Sequence, residues 1–272
     1  MVGTLQENGF PSWLTPPPSA DQLPTEDGEP FESKRHRQAT ILLSEPLELF
    51  WATRDDFFVG SNMFVYFSAI QAKRNDFRGP DVFVVLDTDR RERQAWVVWE
   101  ENGKSPDLVI ELLSPSTEAD DRGRKRQIYE RAMRVGEYFL FDPFTGILEG
   151  LRLDGNGVYR PIPVEPSGRM KSARTGLELG VWVGIYHGTH APWLRWFTAD
   201  GSMLPSDEDL KAHAAAEAAR AQTEAARAEA ARDEAKAARD EAKAAKDEVA
   251  AERKRREELE ALVASLTSRT PG

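Results

Sequence analysis

Two carboxylates stand where apolar side chains would be expected. Asp81 lies between Pro80 and the run Val82-Phe83-Val84-Val85-Leu86, and Glu111 is enclosed in Asp107-Leu108-Val109-Ile110-Glu111-Leu112-Leu113. Both runs read as buried β-strands: they are short, bounded by turn residues and rich in β-branched side chains. A carboxylate in such a setting is expensive to bury unless it is paired, hydrogen-bonded or bound to a metal. Two of them on adjacent strands could offer oxygens to one Mg²⁺, which favours oxygen ligands and keeps several waters. Strand alternation puts Asp107 on the same face as Glu111, so Asp107 is a further candidate; solvation at the strand start is its alternative. Each acid also has an ordinary reading, Asp81 as a turn residue after proline and Glu111 at an exposed sheet edge.

A basic residue belongs beside such a pair. After Leu113 comes Ser114-Pro115-Ser116-Thr117, suited to cap a helix. On that helix Asp121, Lys125 and Tyr129 fall at i, i+4 and i+8, on roughly one face. A lysine near a metal-held water could stabilise the developing charge of phosphoryl transfer, and the metal would acidify that water. The competing reading is a surface lysine paired with Asp121. Arg122, Arg124 and Arg126 surround Lys125, a local cluster fit for phosphate contacts or simply a solvated helix face.

The elements that must position these groups can be outlined from pattern. Residues 1–35, with Pro16-Pro17-Pro18 and Asp27-Gly28-Glu29-Pro30, predict a mobile or loosely docked Pro-rich arm. Residues 36–53 carry Ile41, Leu42, Leu49 and Phe50 on one helical face, and Pro46 should kink or split that helix. Strands are predicted at 57–59, 63–67, 82–86, 96–99, 107–113, 138–141, 147–153, 157–162 and 177–186, with a helix over 119–135. That mixture gives an α/β domain over 36–200. From 207 to 268 the composition changes. Ala231–Ala237 reads ARDEAKA, Ala238–Ala244 repeats it, and Ala245–Ala251 is the variant AKDEVAA. This predicts a long C-terminal helix. Its seam of Ala235, Ala238, Ala242, Ala245 and Val249 is weak, so a solvated single helix and an oligomerising coiled coil both stand.

The chain has 272 residues, a formal net charge of -10 and no cysteine. That excludes a disulfide framework, thiolate metal ligands and a cysteine nucleophile, and argues against a general basic sheath for nucleic acid. No signal-peptide pattern opens the chain and no run approaches the roughly 18–20 apolar residues of a membrane span. A cytoplasmic protein without a membrane partner is the expectation.

The segments GPDVFVVLD and SPDLVIELLSPSTEADDRGRKRQIYERAMRVGEYFLFDP resemble the Uma family, described as "putative restriction endonucleases", of the PD-(D/E)XK nuclease superfamily. The resemblance implies a restriction-endonuclease-like core, a mixed central β-sheet flanked by helices, with Asp81 as the motif Asp and Glu111 as the acid of the second half-motif. Leu113 stands where the superfamily has lysine, and the resemblance points to Lys125, moved onto the next helix. It also implies a further acid from the first helical region, for which Glu32 is the nearest match and Glu29 the alternative.

The first functional expectation is a metal-dependent endonuclease hydrolysing DNA phosphodiester bonds. Asp81 and Glu111 would ligate Mg²⁺, or Mn²⁺ in its place, and Lys125 would stabilise charge. The second is a catalytically silent member of the fold serving as a DNA-binding or protein-interaction module. The complete Asp, Glu and Lys set favours the first; the acidic net charge favours the second.

Overall fold

The computed structural model describes residues 16–25, 33–68, 70 and 79–267. Its centre is a six-stranded sheet in the order β1-β3-β5-β6-β7-β8. The strands are β1 (Phe57–Ser61), β3 (Val82–Leu86), β5 (Leu108–Leu112), β6 (Glu137–Phe141), β7 (Leu148–Leu153) and β8 (Tyr159–Pro161). β5 and β6 run parallel, and every other neighbouring pair is antiparallel. A parallel pair needs a crossover, and the helical segment α2 (118–132) supplies it. β3, β5 and β6 are almost wholly buried because elements cover both faces. Their sequences accordingly read as continuous apolar runs. This is the mixed α/β sheet that the sequence pattern predicts.

The helix α1 (Lys34–Phe50) packs Ala39, Leu42, Leu43 and Leu47 against one face, with Val82, Val84, Ile110, Leu112 and Phe139 of the sheet. The same core takes in a hairpin of β10 (Glu178–Tyr186) and β11 (Thr189–Phe197), which joins the short β9 (Met170–Lys171) in a separate sheet. Trp196 Nε1 donates to Leu43 O at 2.8 Å and ties the hairpin to α1. The opposite face carries Phe83, Val85, Val109 and Tyr138, packed against Tyr129, Met133 and Val135 from α2 and the chain that follows it. A two-stranded parallel pair, β2 (Val65–Tyr66) with β4 (Trp96–Val97), completes the domain.

Two features depart from the pattern reading, and a third falls within the mobile or loosely docked arm that it expected. Pro46 does not split α1, which runs on to Phe50. It lies near the helix end and sacrifices one bond, to Leu42 O, while its ring and Leu47 are buried. β11 carries no simple alternation, being interrupted by Pro192 and the buried Arg195. It pairs because His187 (φ 44°) and Gly188 (φ 75°) form a two-residue turn with both φ values positive. Within the Pro-rich stretch, residues 16–25 are held by Trp99 Nε1 to Pro18 O at 2.9 Å and Tyr66 OH to Pro24 O at 2.8 Å.

The helix α3 (Asp207–Thr267) has 61 residues, about 90 Å at the α-helical rise. Its first turn belongs to the domain. Asp207 accepts from Tyr186 OH, Glu208 from His187 N, and Asp209 from Arg195 Nη2. From Leu210 onward the helix is a separate unit, exposed through residue 264. Among the described residues no helix is long and apolar enough to cross a membrane.

Candidate active site

The antiparallel register of β3 on β5 pairs Val82 with Ile110. One step outward it brings Asp81 opposite Glu111, where side chains on one face lie about 4.5–5.5 Å apart at Cβ. Alternation gives both acids the face of Phe83 and Val109, the face that α2 covers. The Leu112 N–H donates to Asp81 Oδ2 at 2.7 Å and fixes one carboxylate oxygen to the neighbouring strand.

From α2 three side chains converge on these acids. Tyr129 OH donates to Glu111 Oε1 at 2.7 Å. Lys125 Nζ lies 3.2 Å from Glu111 Oε2 and 2.7 Å from Asp121 Oδ1. Asp121 is only 1% exposed, as is Glu111. The helix is α-helical over Glu118–Asp120 and widens to π geometry over Asp121–Lys125 and Ile128–Ala132, with Met133 N donating to Ile128 O five residues back. Such widened turns recur at functional sites. Here the widened helix presents Asp121, Lys125 and Tyr129 to one pair of strand acids. The turn before it is fastened by Ser114 Oγ, within hydrogen-bond distance of Ser116 Oγ (2.9 Å) and Thr117 Oγ1 (3.0 Å).

The fourth element to reach the cluster is α1. His36 Nε2 stands 2.5 Å from Asp81 Oδ1, so both oxygens of Asp81 are engaged. Ser33 caps this helix by accepting from His36 N, and the first turn contains no acid.

Burial dominates the electrostatics. It pushes the Glu111 carboxyl up to about 8; Lys125 opposes this, and Asp81 and Asp121 reinforce it. Asp121 is likewise raised by burial against the pull of Lys125. Burial works to lower Lys125, but Glu111 and Asp121 outweigh it and hold the ammonium above its usual range. Tyr129 is raised by burial and by the adjoining Glu111, so its hydroxyl stays a donor. The consistent reading is an ammonium that keeps its charge among more carboxylates than it can neutralise, with a proton retained on the acids.

That surplus of buried oxygen donors suits a divalent cation. Among the described residues no three His, Asp or Glu side chains are grouped as ligands around one point. Mg²⁺ asks for less, since one or two carboxylates with waters and substrate oxygens complete its shell. Asp81 and Glu111 would supply them.

Residues 19–186 match the model of the Uma2 family, described as "Putative restriction endonuclease". This chain belongs to the Uma2 family. An uncharacterized protein of Synechocystis sp. is 31% identical over 109 residues, covering 40% of this chain and 54% of the relative, so the match spans about half of that protein. A crystal structure from Anabaena variabilis, described as "a putative nuclease", shares 14% identity at a TM-score of 0.40, covering 58% of this chain and 91% of the other.

Of the residues singled out in this Uma2 chain, Asp81, Glu111, Lys125 and Tyr129 come together. Asp107 does not. It lies at the opposite end of β5, some four residues or about 13 Å from Glu111, where its Oδ2 accepts from Leu86 N at 2.9 Å and anchors the end of β3. Glu29 and Glu32 lie outside the described residues. Pattern reasoning missed His36, a histidine among basic neighbours whose partner is 45 positions away. Asp121 was visible only as a partner for Lys125; its burial beneath the strand acids had no local signal.

Proposed function

We propose that this Uma2 protein is a Mg²⁺-dependent endodeoxyribonuclease that hydrolyses DNA phosphodiester bonds, with Mn²⁺ able to replace Mg²⁺. The observation that carries the reading is the buried convergence of Asp81, Glu111 and Lys125 from two strands and a helix, in a family described as "Putative restriction endonuclease". Asp81 and Glu111 would hold the cation, which when bound would supply Lewis-acid polarisation and a more acidic water. Lys125 sets its fixed positive charge beside the acids, where negative charge grows on a phosphate in the transition state. Tyr129 holds Glu111 in place through its hydroxyl. Arg124 and Arg126, in the same helix, lend positive charge for the DNA backbone, whose binding is salt-dependent.

A second reading has one specific observation behind it. The Lys125 ammonium already contacts Glu111 and Asp121, so the cluster could serve as an internal ion-pair network in a silent module. Incubation with plasmid and single-stranded DNA, with and without Mg²⁺ or Mn²⁺, separates the two. Wild type is expected to nick or cut with metal, and Asp81→Ala and Glu111→Ala to lose the activity while keeping their circular dichroism. Equal cleavage by all three proteins would refute the assigned metal site, and none by wild type would refute the nuclease reading.

A further inference from the structure

We infer that His36 is the positioning residue for Asp81, the contribution of α1 to the metal-binding geometry; this rests on the nuclease-type reading of the site. The family resemblance implies another acid from the first helical region. Among the described residues, the side chain that α1 brings to the strand acids is an imidazole. His36 is 8% exposed and its Nε2 lies 2.5 Å from Asp81 Oδ1. The Leu112 N–H takes Asp81 Oδ2 at 2.7 Å. A carboxylate held at both oxygens by groups on two other elements cannot rotate about its terminal torsion. Its remaining lone pairs therefore keep a fixed direction beside Glu111.

The placement of His36 is locally unfavourable, which strengthens the inference. The first turn of α1 reads Lys34-Arg35-His36-Arg37 and contains no acid, although the positive end of a helix dipole favours negative side chains. A ring buried there needs a compensating partner, and Asp81 provides it from across the fold. The helix is itself anchored well away from the site, through Leu42, Leu43 and Leu47 in the core and Leu43 O to Trp196. The position of the ring is thus set by the packing of α1 on the sheet. Local conflict offset by a tertiary contact is the pattern expected where a residue is kept for its role in a site. Partners that orient metal-binding side chains typically govern affinity by 10–100-fold when removed.

The test measures Mn²⁺ binding by titration calorimetry, beside cleavage, for full-length wild type, His36→Ala, His36→Gln and Asp81→Ala, with circular dichroism confirming each folded. His36→Ala is expected to weaken Mn²⁺ about 10–100-fold. His36→Gln, which keeps an N–H donor for Asp81 Oδ1, should recover most of that loss. At saturating Mn²⁺ the cleavage rate of His36→Ala should return towards wild type, because the residue acts through Asp81. Wild-type Mn²⁺ affinity in a folded His36→Ala, or no recovery in His36→Gln, overturns the assignment while leaving the metal site standing. Wild-type affinity in Asp81→Ala would instead remove the metal site, and His36's role with it. Should His36→Ala fail to fold, His36→Gln decides the matter: wild-type-like affinity supports the assignment, and a loss equal to that of Asp81→Ala refutes it.

Discussion

Replacing Glu111 by Gln should stabilise the metal-free protein at pH 8. The carboxyl is fully buried and lifted from an ordinary 4.5 to about 8. Folded protein therefore keeps a proton that the unfolded chain releases between those values, and stability falls as pH climbs through that window. For one proton the slope cannot exceed about 1.4 kcal/mol per pH unit, a ceiling of roughly 5 kcal/mol over the whole interval. Lys125 adds no slope there: its raised value leaves it charged in both states below its unfolded 10.5. Asp121 leans the same way as Glu111 but is present in both proteins. Glutamine keeps the shape and hydrogen-bonding capacity of the protonated acid, and gives up only the pairing with Lys125 of the fraction of Glu111 ionised near pH 8; Asp121 still pairs with the ammonium. Allowing for that lost contact and local relaxation, a gain of about 1–3 kcal/mol at pH 8 is expected. Urea unfolding in EDTA at pH 5 and pH 8 measures it. The variant should exceed wild type at pH 8 and converge with it at pH 5. A variant no more stable at pH 8, or a difference that does not change with pH, would refute the claim that Glu111 resists ionisation.

Lys125→Met should have the opposite sign, leaving Glu111 and Asp121 buried without their cation. A loss of about 3–5 kcal/mol at pH 8 is expected, shrinking towards pH 5 as the carboxyls protonate, and urea midpoints at the two pH values check it. Added Mg²⁺ should raise the wild-type unfolding midpoint at pH 8 and leave that of Asp81→Ala unchanged, as a ligand bound only by the folded state requires; differential scanning fluorimetry reads this, and an equal rise in both refutes the assigned ligand. A chain ending at Leu210, which retains the Asp207–Asp209 contacts with β10 and β11, should keep the thermal midpoint of the full chain, because the residues from 211 to 264 are exposed and add no core. Sedimentation of the two proteins then tests the coiled-coil role: full-length dimers with truncated monomers support it, and monomers in both cases remove it.

The long helix and the central strands were legible because they are local. Heptads of alanine with charged residues have one good conformation, and apolar runs such as Val82–Leu86 and Leu108–Leu112 are suited to strands covered on both sides. Asp81 and Glu111 were legible for a related reason: a charged group inside an apolar run conflicts with its surroundings, and that conflict can be read without coordinates. Lys125 and Tyr129 followed from helical spacing and family resemblance. What the sequence left open depends on contacts between distant segments. Alternation put Asp107 on the correct face, but only strand length and register place it at the wrong end of β5. β11 had no periodic signal, because Pro192 and Arg195 are accommodated by the hairpin turn and by Asp209. His36 meets Asp81 only because α1 packs across the sheet, and Asp121 is buried only because the widened turn of α2 carries it beneath the strands. The sequence by itself marked the strand acids and the helical lysine as candidates; the tertiary structure decided which charges share a site, because the burial, neighbouring charges and hydrogen bonds that shift each pKa in that cluster are set by packing.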